Sequence, residues 1–274
     1  MAWGWAPLSD LLRVDILNTI GVSMMLMGLL CWLVLSIHSG ACARLALVLA
    51  STGVALLISL LTPPLWTTWR PNWLLWPLES YIDGVHNLGT PQAGLFPVFP
   101  WAAFAFAGLA SGFVLQNQWA RNRERLTFFL AGATGLLFVE AARWLDAQPR
   151  QLYAVYDYWH TSPDFFLIRV GMLLVILMAS YAWCRWVIGR LPGQWRFSPL
   201  IQLGQASLLV YWVHLEFVYG RLSILPKRSV GIRTASLGLL AIFLAMLILA
   251  FLRTKWKGRG PEILAWFRSP IRAN

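Results

Sequence analysis

Ionisable and hydrogen-bonding side chains occur inside the long apolar segments of this chain, where a charged group is costly unless it has a partner or a function. Arg169 lies early in the fifth such segment, and His214 and Glu216 lie late in the sixth. Asp15 and Asn18 stand at the start of the first. If consecutive segments cross a membrane in alternating directions, all five positions fall at a similar depth. The sequence therefore predicts a polar cluster near one membrane face.

Helical spacing indicates which of these side chains share a face. Ser207, Tyr211 and His214 recur at i, i+4 and i+7, whereas Glu216 falls on another face of the same helix. A histidine in such a cluster can act as a general base, and Arg169 needs one of the two carboxylates at that depth as its partner. A proton or solute pathway predicts the same cluster as an enzyme chamber. An interfacial histidine and an arginine that snorkels to the surface are the simpler alternatives.

The elements that must position these residues are membrane-spanning helices. Of the 274 residues, 58% are hydrophobic and only 12% are charged, against about 25% charged in soluble domains. The apolar residues form blocks near the roughly 20 residues that a helix needs to cross a bilayer, without the alternation of a membrane β-barrel. We therefore predict an all-α, polytopic transmembrane bundle in a single domain, with about seven spans near residues 16–37, 44–62, 94–115, 126–145, 165–188, 199–220 and 232–252.

Charge distribution bears on partners and on sidedness. The net charge is +11, from 22 basic and 11 acidic residues, but no nucleic-acid-binding module accompanies it, so we expect a lipid bilayer as the partner and no nucleic acid. Basic residues are more abundant in one set of alternate connectors, which places the C-terminus in the cytoplasm and the N-terminus outside. An external N-terminus without a leader is explained if an odd number of further spans precedes it.

The cysteine pattern gives no reason to expect a metal or a disulfide. Cys31, Cys42 and Cys184 are odd in number, lack CxxC spacing and lie in or beside predicted spans. We expect them to be small apolar filler and expect no metal site.

Aromatic residues concentrate at the predicted external face. The connectors 63–93 and 146–164 are rich in Pro, Trp and Tyr, and the second contains His160. They fit either an interfacial aromatic belt or the walls of a substrate cleft. The third span opens with Phe96, Pro97, Pro100 and Trp101, and the two prolines should bend its entry and turn Trp101 inward.

Four strings, in order, resemble one family: residues 13–18 (RVDILN), 96–101 (FPVFPW), 158–163 (YWHTSP) and 204–214 (GQASLLVYWVH). They resemble bacterial membrane proteins related to the catalytic domain of heparan-α-glucosaminide N-acetyltransferase, over most of residues 11–252. The resemblance implies a helical bundle in the bacterial inner membrane. Such a protein passes an acyl group, typically acetyl from acetyl-CoA on the cytoplasmic face, to a sugar-like acceptor on the far side.

If the chain is an acyltransferase of this kind, the residues already singled out line the acceptor-side chamber. We then expect His214, Arg169 and Asp15 to carry the chemistry. Contacts to the acceptor are expected from Asn18, Tyr211, Glu216, Trp101 and His160. The basic connector 121–125 (RNRER) suits the phosphates of CoA, although basic residues that only set the topology explain it equally well.

One departure from the family's sequence pattern is a reason to consider other functions. Relatives begin with a block of about three helices that contains an Asp…Arg-Gly motif and the histidine usually assigned to acyl transfer, and residues 1–12 do not match it. We expect this chain to be the C-terminal part of a larger family fold. The alternative is a non-enzymatic subunit that packs against a membrane protein partner or in an oligomer, and a transporter is the third reading.

Overall fold

The computed structural model describes residues 16–69, 71, 73–84, 96–149, 153–154, 157–186, 199–218 and 231–257, so Asp15 lies outside the described part. Within these ranges the chain forms helices and no strand. The helices are α1 (Ile16–Ile37), α2 (Gly40–Thr67), α3 (Trp76–Asp83), α4 (Val98–Leu115), α5 (Gln118–Asn122), α6 (Glu124–Asp146), α7 (Pro163–Trp186), α8 (Pro199–Gln205), α9 (Ser207–Val218) and α10 (Ile232–Lys257).

Six of the helices are long and apolar enough to cross a bilayer, namely α1, α2, α4, α6, α7 and α10. They correspond to six of the seven predicted spans, and the all-α, polytopic transmembrane architecture is confirmed. The remaining predicted span, 199–220, is not one continuous helix. It is divided into α8 and α9 by a turn at Ala206. Gly204 lies just before the turn, and glycine is a weak helix former because its backbone has the most freedom to lose.

The second predicted span, 44–62, lies within α2, which begins four residues earlier and ends five residues later. The helix α2 continues through Pro63 and Pro64 to its end at Thr67. A proline has no N–H, so the carbonyl of Leu60, four residues before Pro64, loses its helical partner. The Tyr153 hydroxyl donates to that carbonyl at 2.6 Å. A side chain from another part of the chain therefore satisfies one of the backbone carbonyls that the prolines leave without a helical partner.

The described helices group into two compact units. In the unit formed by α1–α7, α6 packs along α7 and α2 along α4, while α1 contacts both α2 and α4. Its core consists of three alanines, two branched aliphatic residues and two phenylalanines: Ala55, Ile58, Val98, Ala102, Ala103, Phe106 and Phe166. In the unit formed by α8–α10, α10 packs against α8 and α9 and buries Met246 and Ala250. The expectation of a single domain stays a prediction.

Candidate functional site

The entry to α4 exposes backbone carbonyls that other helices satisfy. Phe99 has extended angles (φ −95°, ψ 120°) inside the helical segment. Its carbonyl accepts a hydrogen bond from Trp66 Nε1 at 2.9 Å, and the carbonyl of Phe96 accepts one from the Thr19 hydroxyl. The bend leaves Trp101 half-buried, with its ring 5.2 Å from that of Phe96. The inward orientation of Trp101 that the two prolines led us to expect stays a prediction.

The guanidinium of Arg169 lies among aromatic rings. Its central carbon is 4.0 Å from the ring centroid of Phe165, 5.6 Å from that of Trp101 and 6.0 Å from that of Phe104. Ring faces attract a cation, and a planar guanidinium stacks on them. No carboxylate among the described residues of its own unit pairs with Arg169. The predicted ion pair with Asp15 or Glu216 stays a prediction, because the first lies outside the described residues and the second belongs to the other unit.

Beside this cluster, the turn before α7 holds a histidine against a carboxylate. His160 Nδ1 donates to Asp157 Oδ2 at 2.6 Å, and the second carboxylate oxygen accepts the Trp159 N–H at 2.9 Å. The backbone N–H of Asp157 donates to the Thr161 hydroxyl oxygen at 2.9 Å. With Nδ1 used in this way, Nε2 of a neutral His160 is available to accept a proton. The pair is accessible, since the two side chains are 61% and 52% exposed.

The same contacts change the acidity of Asp157. Partial burial favours the neutral carboxyl, but the hydrogen bond from His160 and the backbone N–H of Trp159 favour the charged form, and the net effect lowers the pKa of Asp157. Asp157 is therefore a carboxylate at neutral pH. It holds His160 in one tautomer and can stabilise a positive charge on its ring.

Phe165 connects the arginine to the histidine turn. Its ring lies 5.0 Å from that of Trp159 and 5.6 Å from that of Tyr158. The Ser162 hydroxyl caps α7 by accepting the Asp164 N–H at 3.1 Å, which fixes the turn to the first residues of the helix. We call the set Trp101, Phe104, Asp157, Tyr158, Trp159, His160, Phe165 and Arg169 the α7 entrance site.

The predicted residues of α9 lie in the other unit. His214 Nδ1 donates to the carbonyl of Val210 at 3.2 Å, and its ring is 5.4 Å from that of Tyr211, so these two side chains share a face as predicted. Glu216 is half-buried. On α1, Asn18 is exposed, while the neighbouring Thr19 is buried. Whether His214, Tyr211, Glu216 and Asn18 contribute to the α7 entrance site stays a prediction.

Sequence reasoning missed Asp157. It included His160 only as a contact to the acceptor. An acidic residue three positions before a histidine nevertheless indicates that the two side chains can pair across one turn. Polar residues inside apolar segments do not reveal this pair, because both residues precede α7.

The fold and the site define the class of this protein, an integral multi-pass α-helical membrane protein with an arginine–aromatic cluster beside a histidine–carboxylate pair. Comparisons with family models, curated proteins and solved structures gave no match. The resemblance to acyltransferases therefore remains a hypothesis.

Proposed function

We propose that this protein is a membrane-embedded acyltransferase that moves an acyl group, typically acetyl, from a cytoplasmic CoA thioester to a sugar-like acceptor on the external face of a bacterial inner membrane, with its C-terminus in the cytoplasm. The observation that carries the proposal is the hydrogen bond between His160 and Asp157 beside the aromatic cluster of Arg169. A base held by a carboxylate and an adjacent binding surface are the two parts that acyl transfer to a hydroxyl or amine requires.

In this scheme His160 is the general base. Its Nε2 takes the proton of the acceptor hydroxyl or amine as that group attacks the thioester carbonyl, which the proposal requires to be carried through the bundle from the cytoplasmic face to His160. The C–S bond breaks, and the imidazolium returns the proton to the thiolate sulfur, which leaves as the CoA thiol. Asp157 stabilises the transient imidazolium. Arg169 is the acceptor-orienting group, and the exposed ring of Trp159 is suited to stacking against the acceptor. His214 is the competing candidate for the base.

The basic segment after α4 is the candidate donor contact. Arg121 lies in the last turn of α5, and the guanidinium of Arg123 is 5.6 Å from the ring centroid of Trp119. Exposed guanidinium groups attract phosphates such as those of CoA.

The test is acyl transfer by purified protein in nanodiscs, measured as CoA thiol release from acetyl-CoA with a set of sugar and amino-sugar acceptors. We expect His160→Ala to lower kcat by about 10²–10⁴-fold, the usual contribution of a general base. Asp157→Asn should lower kcat for the same reason. Arg169→Lys should raise KM for the acceptor, since lysine lacks the planar group that stacks on the rings.

The matched control is His38→Ala, which removes an exposed histidine from the connector between α1 and α2. Its activity should equal that of the wild type. If His214→Ala abolishes transfer and His160→Ala does not, the base is misassigned. If the full-length gene product transfers no acyl group and copurifies with a stoichiometric membrane partner, the accessory-subunit reading replaces this one.

A further inference from the structure

The connector between α4 and α6 carries a basic surface at the edge of the bilayer. Helix α4 ends at Leu115 and α6 begins at Glu124, and both helices are long and apolar enough to cross a membrane. The residues that join them, including the short helix α5, therefore lie near one membrane–water boundary. Three exposed arginines, Arg121, Arg123 and Arg125, accompany a single glutamate in this stretch. The surface at this boundary is therefore positively charged.

Hydrogen bonds hold the backbone of this connector in place. The Thr127 hydroxyl, from the first turn of α6, lies within hydrogen-bonding distance of the carbonyls of Ala120 at 3.2 Å and Arg123 at 3.1 Å. The Asn117 side chain caps α5 by accepting the Trp119 N–H at 3.1 Å. Ala120 is 3% exposed and packs α5 against its neighbours. The arginine side chains therefore extend outward from a fixed backbone.

The three guanidinium groups have no anionic partner in the described part of the chain. No carboxylate there lies within ion-pair distance of Arg121, Arg123 or Arg125, although a glutamate stands between two of them in the sequence. Arg143, near the other end of α6, is by contrast paired with Glu140 at 3.3 Å. A guanidinium group binds phosphate through two parallel hydrogen bonds. The unpaired arginines therefore fit a phosphate group from outside the chain.

Trp119 indicates which phosphate this surface meets. Its side chain is 48% exposed, and its ring centroid lies 5.6 Å from the guanidinium carbon of Arg123. An exposed indole beside a membrane span prefers the headgroup level of the bilayer. The cation–π contact keeps the charge of Arg123 at the same depth, where the phosphates of phospholipids lie. A lipid headgroup is therefore favoured over a phosphate compound dissolved in water.

We propose that Trp119, Arg121, Arg123 and Arg125 form a binding surface for the phosphate of an anionic phospholipid in the leaflet that this connector faces. Basic residues beside a membrane span attract anionic lipid, and each adds about fivefold to the affinity. The same guanidinium groups are the candidate contact for CoA, so a bound lipid competes with CoA for them. The lipid site depends on the multi-pass architecture and does not require the proposed transfer reaction.

The test measures how tightly the full chain, immobilised in a neutral detergent, retains radiolabelled dioleoylphosphatidylglycerol. The unlabelled competitors are the same anionic lipid, zwitterionic dioleoylphosphatidylcholine and CoA. We expect the anionic lipid to displace the label at a concentration at least about fivefold lower than the zwitterionic lipid, because the two share a phosphate and differ in net charge. CoA should displace the label less effectively than the anionic lipid, because it lacks the acyl chains that hold a headgroup at the depth of Trp119.

Substitutions separate the contributions of charge and of the indole. Arg121→Gln and Arg123→Gln should each lower the affinity for the anionic lipid by about fivefold. Arg123→Lys keeps the charge but loses the planar group that stacks on Trp119, so its affinity should fall by only about twofold. The matched control is Arg143→Gln, which removes an exposed guanidinium that is already paired with Glu140 in α6 and should leave the affinity unchanged.

Equal displacement by the two lipids overturns the lipid site, as does wild-type affinity in both glutamine variants. If CoA displaces the label at a lower concentration than the anionic lipid does, the surface takes a soluble phosphate compound and the proposal fails. Should a variant not fold, the salt dependence of the wild type decides. Raising NaCl from about 0.1 M to about 1 M shortens the Debye length from roughly 10 Å to roughly 3 Å and should abolish the preference for anionic lipid. A preference that survives in high salt contradicts the proposal. Acyl transfer plays no part in these measurements, so their outcome is separate from that of the proposed reaction.

Discussion

At the scale of single residues, neighbours decide what each histidine can do. His160 donates to a carboxylate, which orients the ring and can stabilise a positive charge on it. His214 donates to the backbone carbonyl of Val210, a bond that fixes a tautomer without supplying a negative charge. Sequence reasoning favoured His214 because it lies within an apolar segment. His160 is therefore the better candidate for the general base, because the nearby carboxylate of Asp157 can stabilise the imidazolium that forms.

The lowered pKa of Asp157 leads to a pH-dependent prediction. In the folded protein the pKa of Asp157 lies below its ordinary value of 3.8. Such a carboxylate stabilises the fold at pH values above 3.8, and this contribution is lost as the pH falls through the folded-state pKa. We expect the wild type to have a higher Tm than Asp157→Asn near neutral pH, and the difference should disappear once the pH falls below the lowered, folded-state pKa of Asp157. Parallel thermal melts of the two proteins from neutral to acidic pH provide the measurement.

His160→Ala is the control for this interpretation, because it removes the hydrogen bond from the imidazole and leaves the carboxyl in place. At neutral pH, the Tm of His160→Ala should exceed that of Asp157→Asn by less than the Tm of the wild type does. A wild-type advantage that stays constant into acid would show that the Asp157 carboxylate does not stabilise the turn.

At the scale of elements, the pairing of α6 with α7 depends on two glycines that face each other. A Cβ placed on Gly135 would lie 2.5 Å from the carbonyl oxygen of Gly171, and the reverse distance is also 2.5 Å. About two turns earlier in α6, the ring of Phe128 stacks on that of Tyr181 of α7 with the centroids 4.1 Å apart. Small residues allow helix backbones in a membrane to approach closely, where van der Waals packing holds them together.

We predict that Gly135→Ala separates α6 and α7 and lowers the free energy of unfolding by about 1–3 kcal/mol, the usual cost of overpacking. The expected reason is that the new methyl group meets a backbone atom, which cannot rotate away. The measurement is unfolding of the purified protein in mixed micelles with increasing SDS.

Gly108→Ala is the matched control, since a Cβ at Gly108 in α4 meets nothing within 4 Å. It should be neutral or stabilising by up to about 1 kcal/mol, because alanine favours helix more than glycine does. Equal destabilisation by both substitutions would show that the effect of Gly135→Ala does not come from the close approach of α6 and α7.

At the scale of the whole molecule, the proposed reaction requires a defined orientation in the bilayer. The charge bias of the connectors predicts that the segment of α5 lies in the cytoplasm and the turn before α7 lies outside. In a chain whose three cysteines are replaced by alanine, we predict that a membrane-impermeant maleimide labels Ala154→Cys in intact cells. Arg123→Cys should react only after the membrane is permeabilised. Labelling in the opposite pattern would place the α7 entrance site on the cytoplasmic side and would contradict the proposal of an acceptor on the external face.

The amino-acid sequence by itself determined the class of this protein and the approximate position of its spans. The reason is physical and local: a segment of about 20 apolar residues must form its own backbone hydrogen bonds in lipid, whatever its neighbours are. The same local logic placed Tyr211 and His214 on one helix face. It failed at the end of α2, where Tyr153 satisfies the carbonyl of a residue far away in the chain.

Only the tertiary structure decided which side chains meet across helices. Arg169 of α7 lies over rings of α4, a contact that the sequence did not indicate, while its predicted carboxylate partner stays a prediction. The burial of Glu79 and Asp83 and the contact of Gly135 with Gly171 likewise depend on how helices pack. Hydropathy measures what a residue gains from lipid or from burial, and it carries no information about which neighbour provides that burial.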